Sequence, residues 1–585
     1  MIDFSKKKSL LNNQWEIKNF DERESLLISQ KFDLSPILSK LLNLRKISSD
    51  NVNNYLEPNF INNLPDPFLL KDMDKSIDRT IKAIQKKEKI GIIADYDVDG
   101  STSAAILYKF LSYFDCDLIL KIPDRLNEGY GPNKRIMNEF LREKIDLIFT
   151  LDCGTSSFGI IDNIDYNSID TIVIDHHISE NKLPKIYSII NPNRFDENND
   201  LKDLAAVGVT FLFLLGLRKL LRSNNFFIKK YKEPNLLNFL DLVALGTVCD
   251  VVSLKNFNRN FVIKGLEIIK KRTHYGIKSL IDNSKIKNTP TSSDLSYIIG
   301  PQLNAASRID DSSLASKLLI TNNLDELEKI SKRLLLLNEK RKLIENHIFE
   351  EAFEEASKQN SKKIIIVSGF GWHTGVLGII ASRLTNEFNK PAIVISFNQK
   401  FGVGSARSIE GIDLGNIIIQ AKEKGILIKG GGHKMAAGLK IKKTSLNEFN
   451  NFLVQHLDSY SNIYFVKKVL YDSIISIDEI NLDFIENIEK LEPFGNDNEE
   501  PKFIIKDMDI KSFKIVNNKH IMIFSESALN GKIHAISFNS VDTSLGQNII
   551  NNKTAKYAFG CTIKKNNFNS KLEPQIIIKD AMVIN

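Results

Sequence analysis

Three short segments hold the residues best suited to chemistry. DYDVDG places Asp95, Asp97 and Asp99 at alternate positions, LDCG offers Asp152, and DHH offers Asp175, His176 and His177. If DYDVDG is extended, alternation points its three carboxylates the same way. Like charges held so close repel one another unless a cation sits among them. Carboxylate oxygens joined by one or two imidazole nitrogens suit Mn²⁺ or Mg²⁺ better than a sulfur-seeking metal. The chemistry open to such a set is metal-assisted hydrolysis of a phosphodiester.

Each segment alone has a plainer explanation. DxDxDG also begins calcium-binding EF-hand loops, but here it follows a buried β run and lacks the Glu that closes a twelve-residue loop. A lone His behind a strand is more often a satisfied core residue than a ligand. Adjacent histidines differ, because neighbours in sequence cannot both face one core. The succession of all three segments, each at the end of a strand, carries the case.

Those strands position the side chains. KIGIIA runs into DYDVDGS, IDLIFT into LDCGTSS, and IDTIVI into DHHIS. The first unit is followed by the amphipathic SAAILYKFLSYF, the pattern of a parallel α/β sheet. In such sheets the loops beyond the carboxyl ends of the strands gather into one crevice. A second α/β unit starts near Lys363 with KKIIIVSG, GVLGIIASRLTNEF and PAIVIS. Between the two, Leu327, Ile330, Leu334, Leu337, Ile344 and Ile348 keep near-heptad spacing interrupted by Arg341. A long connecting helix fits this better than a coiled-coil dimer. The first eighty residues read helical, as in LSPILSKLLNLRKISSDNVNNYL. The last hundred switch to period two with Asn/Gly turns, which predicts a small antiparallel β module, barrel or sandwich.

The totals set limits. At 585 residues, two to four domains are expected. No apolar run approaches the roughly 18 residues of a membrane span, and the opening residues lack the apolar stretch of a secretory signal. Cys116, Cys153, Cys249 and Cys561 lie far apart, which argues for reduced thiols in a cytoplasmic protein and against a zinc ribbon. Net charge is +7, yet Pro501–Asn585 holds twelve Lys, no Arg and six acidic residues. A basic terminal module is compatible with a polyanion, and equally with a solvated Lys-rich surface.

DYDVDG, DCG and DHH, in this order, resemble the DHH phosphoesterase superfamily, and the likeness to its single-strand-specific exonuclease branch runs nearly end to end. PDRLNEGYG (123–131), AAVGVTF, DLVALGTVCDVVSL and GPQLNAASRID follow in the expected places. GWHTGVLGIIASRL, GVGSARS and GGGHKMAAGL look like the DHH-associated domain, and LEPFGNDNEEPKF like the approach to a C-terminal OB-fold. Where the family commonly has glycine, proline and glycine, this chain has Asp497, Glu499 and Ser307.

The resemblance implies an α/β architecture in five parts. A helical segment over 1–80 packs on a parallel-sheet DHH domain over 81–322. A connecting helix over 323–360 leads to a second α/β, DHH-associated domain over 361–460 and an OB-fold β-barrel over 461–585. It implies two divalent cations, Mn or Mg, held by Asp95, Asp97, Asp99, Asp152, His176 and Asp250, with Asp152 placed to bridge. One of the loop aspartates could instead hold the turn, and Asp250 could instead be a helix cap. Two ions about 4 Å apart activate water and clamp the oxygens of an in-line displacement. His177 is then left to meet the scissile phosphate as charge develops.

By the same resemblance Arg308, Ser405 and Arg407 bind substrate across the crevice, with a contribution from Arg125. Gly431, Gly432 and His433 bring backbone close to a ligand ahead of a helix-like KMAAGL. Among Phe513, Phe524, Phe538, Tyr557 and Phe559, period two sends half of the rings inward, and sequence does not say which. The expected activity is 5′-to-3′ hydrolysis of single-stranded DNA to 5′-mononucleotides in repair and recombination, by a monomer. A single-strand-binding protein and a helicase are conceivable partners, and no membrane is involved. The rivals are a DHH phosphodiesterase acting on short RNA or cyclic dinucleotides, and a non-catalytic strand-binding scaffold. The last hundred residues speak against the first, and the filled ligand positions against the second.

Overall fold

The computed structural model describes residue 4 and residues 7–163, 168–229, 231–286, 288–552, 555–568 and 571–584. Its first sheet has five parallel strands in the order Asp117–Lys121, Lys89–Ala94, Leu147–Leu151, Asp170–Ile174, Ser188–Ile190. Alternate residues leave its two faces. Ile90, Ile92, Leu147 and Phe149 join the large core beneath helices Val98–Ser112, Ala206–Ser223 and Leu240–Cys249, while Ile93, Ile148 and Val173 meet Ile136, Met137 and Phe140 of helix Lys134–Arg142. Burial on both faces explains the near-continuous β-branched runs. The three central strands all end at the same edge, so Asp95, Asp152 and Asp175 must gather there.

Helix Leu324–Ser357 is 34 residues long. Its stripe Leu327, Ile330 and Leu334 belongs to the first core, and Ile348, Ala352 and Ala356 to the next. At the changeover Arg341, the interruption in the apolar spacing, is buried and donates to Glu345 (2.8 Å) and Asn338. The second sheet runs Leu427–His433, Ala436–Lys442, Phe401–Arg407, Ala392–Phe397, Ile365–Phe370, antiparallel except for its last pair. In KMAAGL, Lys434 and Met435 therefore make a hairpin turn and the rest is strand, with no helix. Ala437, Leu439 and Ile441 are buried at every second position, a pattern that only an extended segment can satisfy.

The C-terminal OB-fold domain holds a seven-stranded sheet. It is not wholly antiparallel: Ser473–Ile475 pairs parallel with Phe503–Ile505, and Gly531–Ser537 with Lys571–Val583. Period two reveals strands but not their direction. The first fifty-odd residues also depart from expectation, since they pack on this C-terminal domain instead of on the first one. Ile28, Leu38, Leu41, Leu42 and Val52 share a core with Phe484, Ile485, Phe503 and Ile578. Strand Gln14–Ile17 pairs with Lys468–Tyr471, and buried Asp580 accepts hydrogen bonds from Asn13 Nδ2 (2.8 Å) and Trp15 Nε1 (3.0 Å). Only the later part of the segment, with helix Met73–Lys86, lies in the first core. An amphipathic pattern announces a buried face without naming what covers it.

Candidate metal centre and the pocket beside it

Asp95 closes its strand, Asp97 caps helix Val98–Ser112 by accepting the Gly100 amide (3.0 Å), and Asp99 sits in that helix's first turn. DYDVDG is thus a strand end running into a helix start, not an extended loop, yet its carboxylates still converge. Asp99 is buried and accepts the Ala206 and Val207 amides at 2.7 and 2.8 Å. Asp152 ends the neighbouring strand with φ +58°, a conformation Asp tolerates better than most residues. Asp250 follows the last turn of helix Leu240–Cys249.

These groups meet in one place. His176 Nε2 lies 3.4 Å from Asp152 Oδ1, 3.5 Å from Asp250 Oδ2 and 3.9 Å from Asp99 Oδ2. Ligand atoms of Asp95, Asp97 and Asp152 form one close set, those of Asp99, His176 and Asp250 a second, and those of Asp152, His176 and His177 a third, each within 4.8 Å. Asp152 joins the first set to the third, and His176 the third to the second. Asp95 Oδ1, Asp152 Oδ1 and His176 Nε2 are buried without a hydrogen-bond partner. Buried polar atoms are rarely left so, and acceptors converging from separate segments are what a cation requires. The donor set therefore fits hard divalent ions.

Electrostatics agree. Burial, with Asp97 next to it, pushes the Asp95 carboxyl well above the carboxylate range, and burial among Asp99, Asp97, Asp95 and Asp250 does the same to Asp152. Burial and Asp97 raise Asp99 to about 7, while burial and Asp99 raise Asp250 to about 9. Burial, reinforced by His177, lowers His176 to about 4, which keeps its imidazole neutral as a ligand must be. His177 goes the other way. Burial opposes its charge, but the hydrogen bond to Asp175 prevails and raises it to about 9.

A cavity of about 340 Å³ lies at the junction of the two α/β domains. Arg125, Arg308, Ser405 and Arg407 line it together with Gly375, Gly378 and Ser382. Arg407 Nη1 donates to Ser405 Oγ (3.3 Å), and Arg308 Nη1 to the Gly375 carbonyl (3.0 Å). A Cβ on Gly378 would stand 3.0 Å from Arg407 Nη2 and 3.2 Å from Ser405 Oγ, so glycine there leaves the guanidinium its room. Burial and then Arg125 lower Arg308 to about 9, and the same two causes lower Arg407. Mutually repelling cations in one cavity call for an anion. Arg125 also lies over the Tyr96 ring at 4.8 Å, so the cavity adjoins the segment between Asp95 and Asp97.

Gly431, Gly432 and His433 stand on the same sheet. Gly431 is paired with Gly438 and Gly438 with Ser405, while His433 is paired with Ala436 and Ala436 with Arg407. Directly opposed residues face one side of a sheet, so a bare backbone shelf extends from Ser405 with exposed His433 along its margin.

Comparison with known proteins finds three family models along the chain. The DHH family, N-terminal domain matches residues 89–247, the DHHA1 domain 361–459 and the RecJ OB domain 471–580. The single-stranded-DNA-specific exonuclease RecJ of Haemophilus influenzae is 30% identical over 577 residues, covering 95% of this chain and 98% of that protein. The chain belongs to the RecJ family. The crystal structure of RecJ from Thermus thermophilus in complex with Mn²⁺ has the same fold, with TM-score 0.82 at 22% identity over 98% of this chain and 80% of that one. An exonuclease RecJ bound to manganese superposes with TM-score 0.59 at 28% identity, covering 68% of this chain and 96% of the other.

Set against the common RecJ-family pattern, the three departures fit locally. Asp497 adopts φ +58°, a left-handed conformation that glycine takes freely and Asp tolerates better than most residues. Ser307 is buried in helix Gly300–Ile309, its hydroxyl bonded to the Asn304 carbonyl at 3.1 Å. Glu499 gives its carbonyl to Arg45 Nη2 at 2.8 Å.

The roles of two residues escaped the reading of sequence. Asp175, grouped there with the histidines, turns Oδ1 toward the His176 and His177 amides and His177 Nδ1, and Oδ2 toward the Thr155 amide. It organises the loop around the centre. Tyr130 donates its hydroxyl to the Asp152 carbonyl (2.8 Å) and lies 3.2 Å from His177 Nδ1. Its position within PDRLNEGYG was the only available signal.

Proposed function

We propose that this chain is a metal-dependent exonuclease that degrades single-stranded DNA from the 5′ end and releases 5′-mononucleotides. The observation that carries the reading is the meeting of unpartnered Asp95, Asp152 and His176 atoms beside a cavity walled by Arg125, Arg308 and Arg407. A scissile phosphodiester and a terminal phosphate can thus be held in adjoining places. The substrate follows from the activity for which the H. influenzae relative is named, a single-stranded-DNA-specific exonuclease.

Asp95, Asp97, Asp152, Asp99, His176 and Asp250 would hold two divalent cations, Mn or Mg, Asp152 being the carboxylate common to two of the close donor sets. When bound, the ions supply Lewis-acid activation of water and of the phosphodiester oxygens. The chain's own residues do the rest. His177, charged and with Nδ1 held by Asp175, presents Nε2 to a phosphate oxygen as negative charge builds. Arg308 and Arg407 offer forked donors to the 5′-phosphate, Ser405 adds a hydroxyl, and Arg125 spans the cavity and the metal segment. The shelf at Gly431 and Gly438 lets the backbone of the strand pass without meeting a side chain.

In the OB-fold, cross-strand register separates the rings. Tyr557 and Phe559 are buried, whereas Phe524 pairs with His534 (ring centroids 5.2 Å) and His520 packs on Phe538 (5.3 Å) on the outer face. With Lys514 and Lys532 on the same face, this is a base-stacking surface. All these groups come from one chain, so a monomer suffices. Among the described residues no helix is long and apolar enough to cross a membrane.

The test is direct. End-labelled single-stranded DNA, RNA and duplex are incubated with the full chain in Mn²⁺, Mg²⁺ or chelator. Mononucleotides released from 5′-phosphorylated DNA only when metal is present support the reading, and equal cleavage of RNA, or activity in chelator, overturns it.

A further inference from the structure

The loop that follows Asp250 is held from an unexpected direction. Val251 adopts φ +60° and is 60% exposed. A β-branched residue in the left-handed region is a strained outlier that persists only where its surroundings over-determine it. Part of the constraint comes from a loop inside the OB-fold domain, between helix Leu482–Glu489 and strand Phe503–Ile505. Asn496 Nδ2 donates to the Val251 carbonyl at 2.9 Å, and the Leu254 amide donates to the Asn496 carbonyl at 2.8 Å. One residue, 245 positions from Val251, thereby fixes both ends of Val251–Leu254.

The holding loop is itself rigidly seated. Gly495 packs so closely on Leu254 that a Cβ would come within 2.5 Å of its Cδ1, and Gly495 and Asn498 bond each other through their backbones. Buried Asn498 donates to the Leu491 and Pro493 carbonyls and accepts from Arg45 Nε at 2.7 Å. From the first domain, Arg259 reaches the Glu492 carbonyl at 2.7 Å and Ser292 the Phe494 carbonyl at 2.7 Å.

We propose that Asn496 is a positioning residue for the metal centre: by holding the strained Val251 peptide it sets the direction of the Asp250 carboxylate, so this loop of the OB-fold domain is a working part of the site. Hydrogen bonds to groups that orient ligands usually matter about 10- to 100-fold in metal affinity. The inference rests on Asp250 being a ligand, as proposed above. It adds a physical route by which the C-terminal domain reaches a site in the first domain.

The experiment is a double-mutant cycle read by calorimetric titration of Mn²⁺ into the chelator-treated full chain. The variants are Asn496→Ala, the isosteric Asn496→Asp, which cannot donate to the Val251 carbonyl, Asp250→Ala and the Asn496→Ala/Asp250→Ala pair. Each Asn496 variant is expected to weaken Mn²⁺ binding by about tenfold. Its metal-free unfolding temperature should match the parent's, and Asn496→Ala should have no further effect once Asp250 is removed, because the two act as a unit. Undiminished affinity in Asn496→Asp, or a loss in the pair equal to the combined losses of the single variants, overturns the positioning role. If Asp250→Ala itself binds Mn²⁺ as the parent does, the ligand assignment fails first and the inference falls with it.

Discussion

His177 Nδ1 lies 2.8 Å from Asp175 Oδ1, and the same oxygen accepts the amides of both histidines. One carboxylate therefore sets the backbone that aims His176 and the orientation of the His177 ring. Burial alone would raise Asp175, but its hydrogen bond to His177 and the charge of His177 hold it below the usual carboxylate range, so it stays ionised throughout the working pH range.

Asp175→Asn keeps the shape and removes the charge. Turnover is expected to fall by about 10²-fold or more, with Mn²⁺ affinity changed far less because Asp175 is not among the close ligand sets. Single-turnover rates beside a metal titration check this; a parallel loss in both would make Asp175 a determinant of metal binding.

Asp152→Ala removes the carboxylate shared by two ligand sets. Hydrolysis should drop by about 10³-fold, while equilibrium binding of a single-stranded oligonucleotide stays near the parent's, since arginines and outer-face rings do not need the ions. Retained activity would refute the bridging role.

Stability of the metal-free chain should fall as pH rises. Asp99 and Asp250 have folded values of about 7 and 9 against an ordinary 3.8. The folded state therefore binds their protons more tightly, and the resulting stability, complete near pH 4, is lost on the way up to those values. His177, raised to about 9, adds to the loss above its ordinary 6.5, whereas His176 acts oppositely but only between about 4 and 6.5. Between pH 7 and 9 the metal-free unfolding temperature should decline, and the rise on adding Mn²⁺ should grow. Calorimetric scans across that range decide it, and a flat metal-free profile would contradict the burial of these carboxylates.

Arg407→Ala should weaken binding of 5′-phosphorylated strands by roughly 1.5–3 kcal/mol, the usual contribution of a hydrogen bond to a charged group. Strands ending in a 5′-hydroxyl should be affected much less. KM values for the two substrates report this, and unchanged preference for the phosphorylated end would remove Arg407 from the end-binding pocket.

Phe524→Ala should weaken binding of long oligonucleotides by roughly 1–3 kcal/mol with metal affinity intact. Phe559→Ala, in the core, should instead lower the unfolding temperature. Fluorescence anisotropy and thermal scans distinguish them, and the opposite pattern would mean the sheet is read inside out.

Much of the centre was legible because its residues are local to strand ends. Asp95, Asp152 and His176 each follow a β-branched run, and parallel strands have only one way to bring those ends together. What stayed hidden depends on pairing between distant segments. Period two marks Phe524 and Phe559 equally, and only the register of Phe524 against His534 turns one outward. Leu38 and Leu41 announce a buried stripe without naming Phe484 or Ile485 as its cover. Asp175 looked like another ligand because its type is right; that it faces amides is a matter of a side-chain torsion. Asn496 carries no local signal at all.

The bonds from Asn13 and Trp15 to Asp580 have a consequence for how this chain is made. At about 5–20 residues per second, a ribosome that has just released Trp15 works for roughly half a minute to two minutes before Asp580 emerges. For most of that interval the opening helices and strand are without the surface that covers them, because Lys468–Tyr471, Phe484 and Phe503 emerge late in it, so they are translated early and docked late. A nascent chain stalled before Lys468 keeps Trp15 and Leu38 uncovered, a visible mark by which quality-control machinery can recognise an arrested copy.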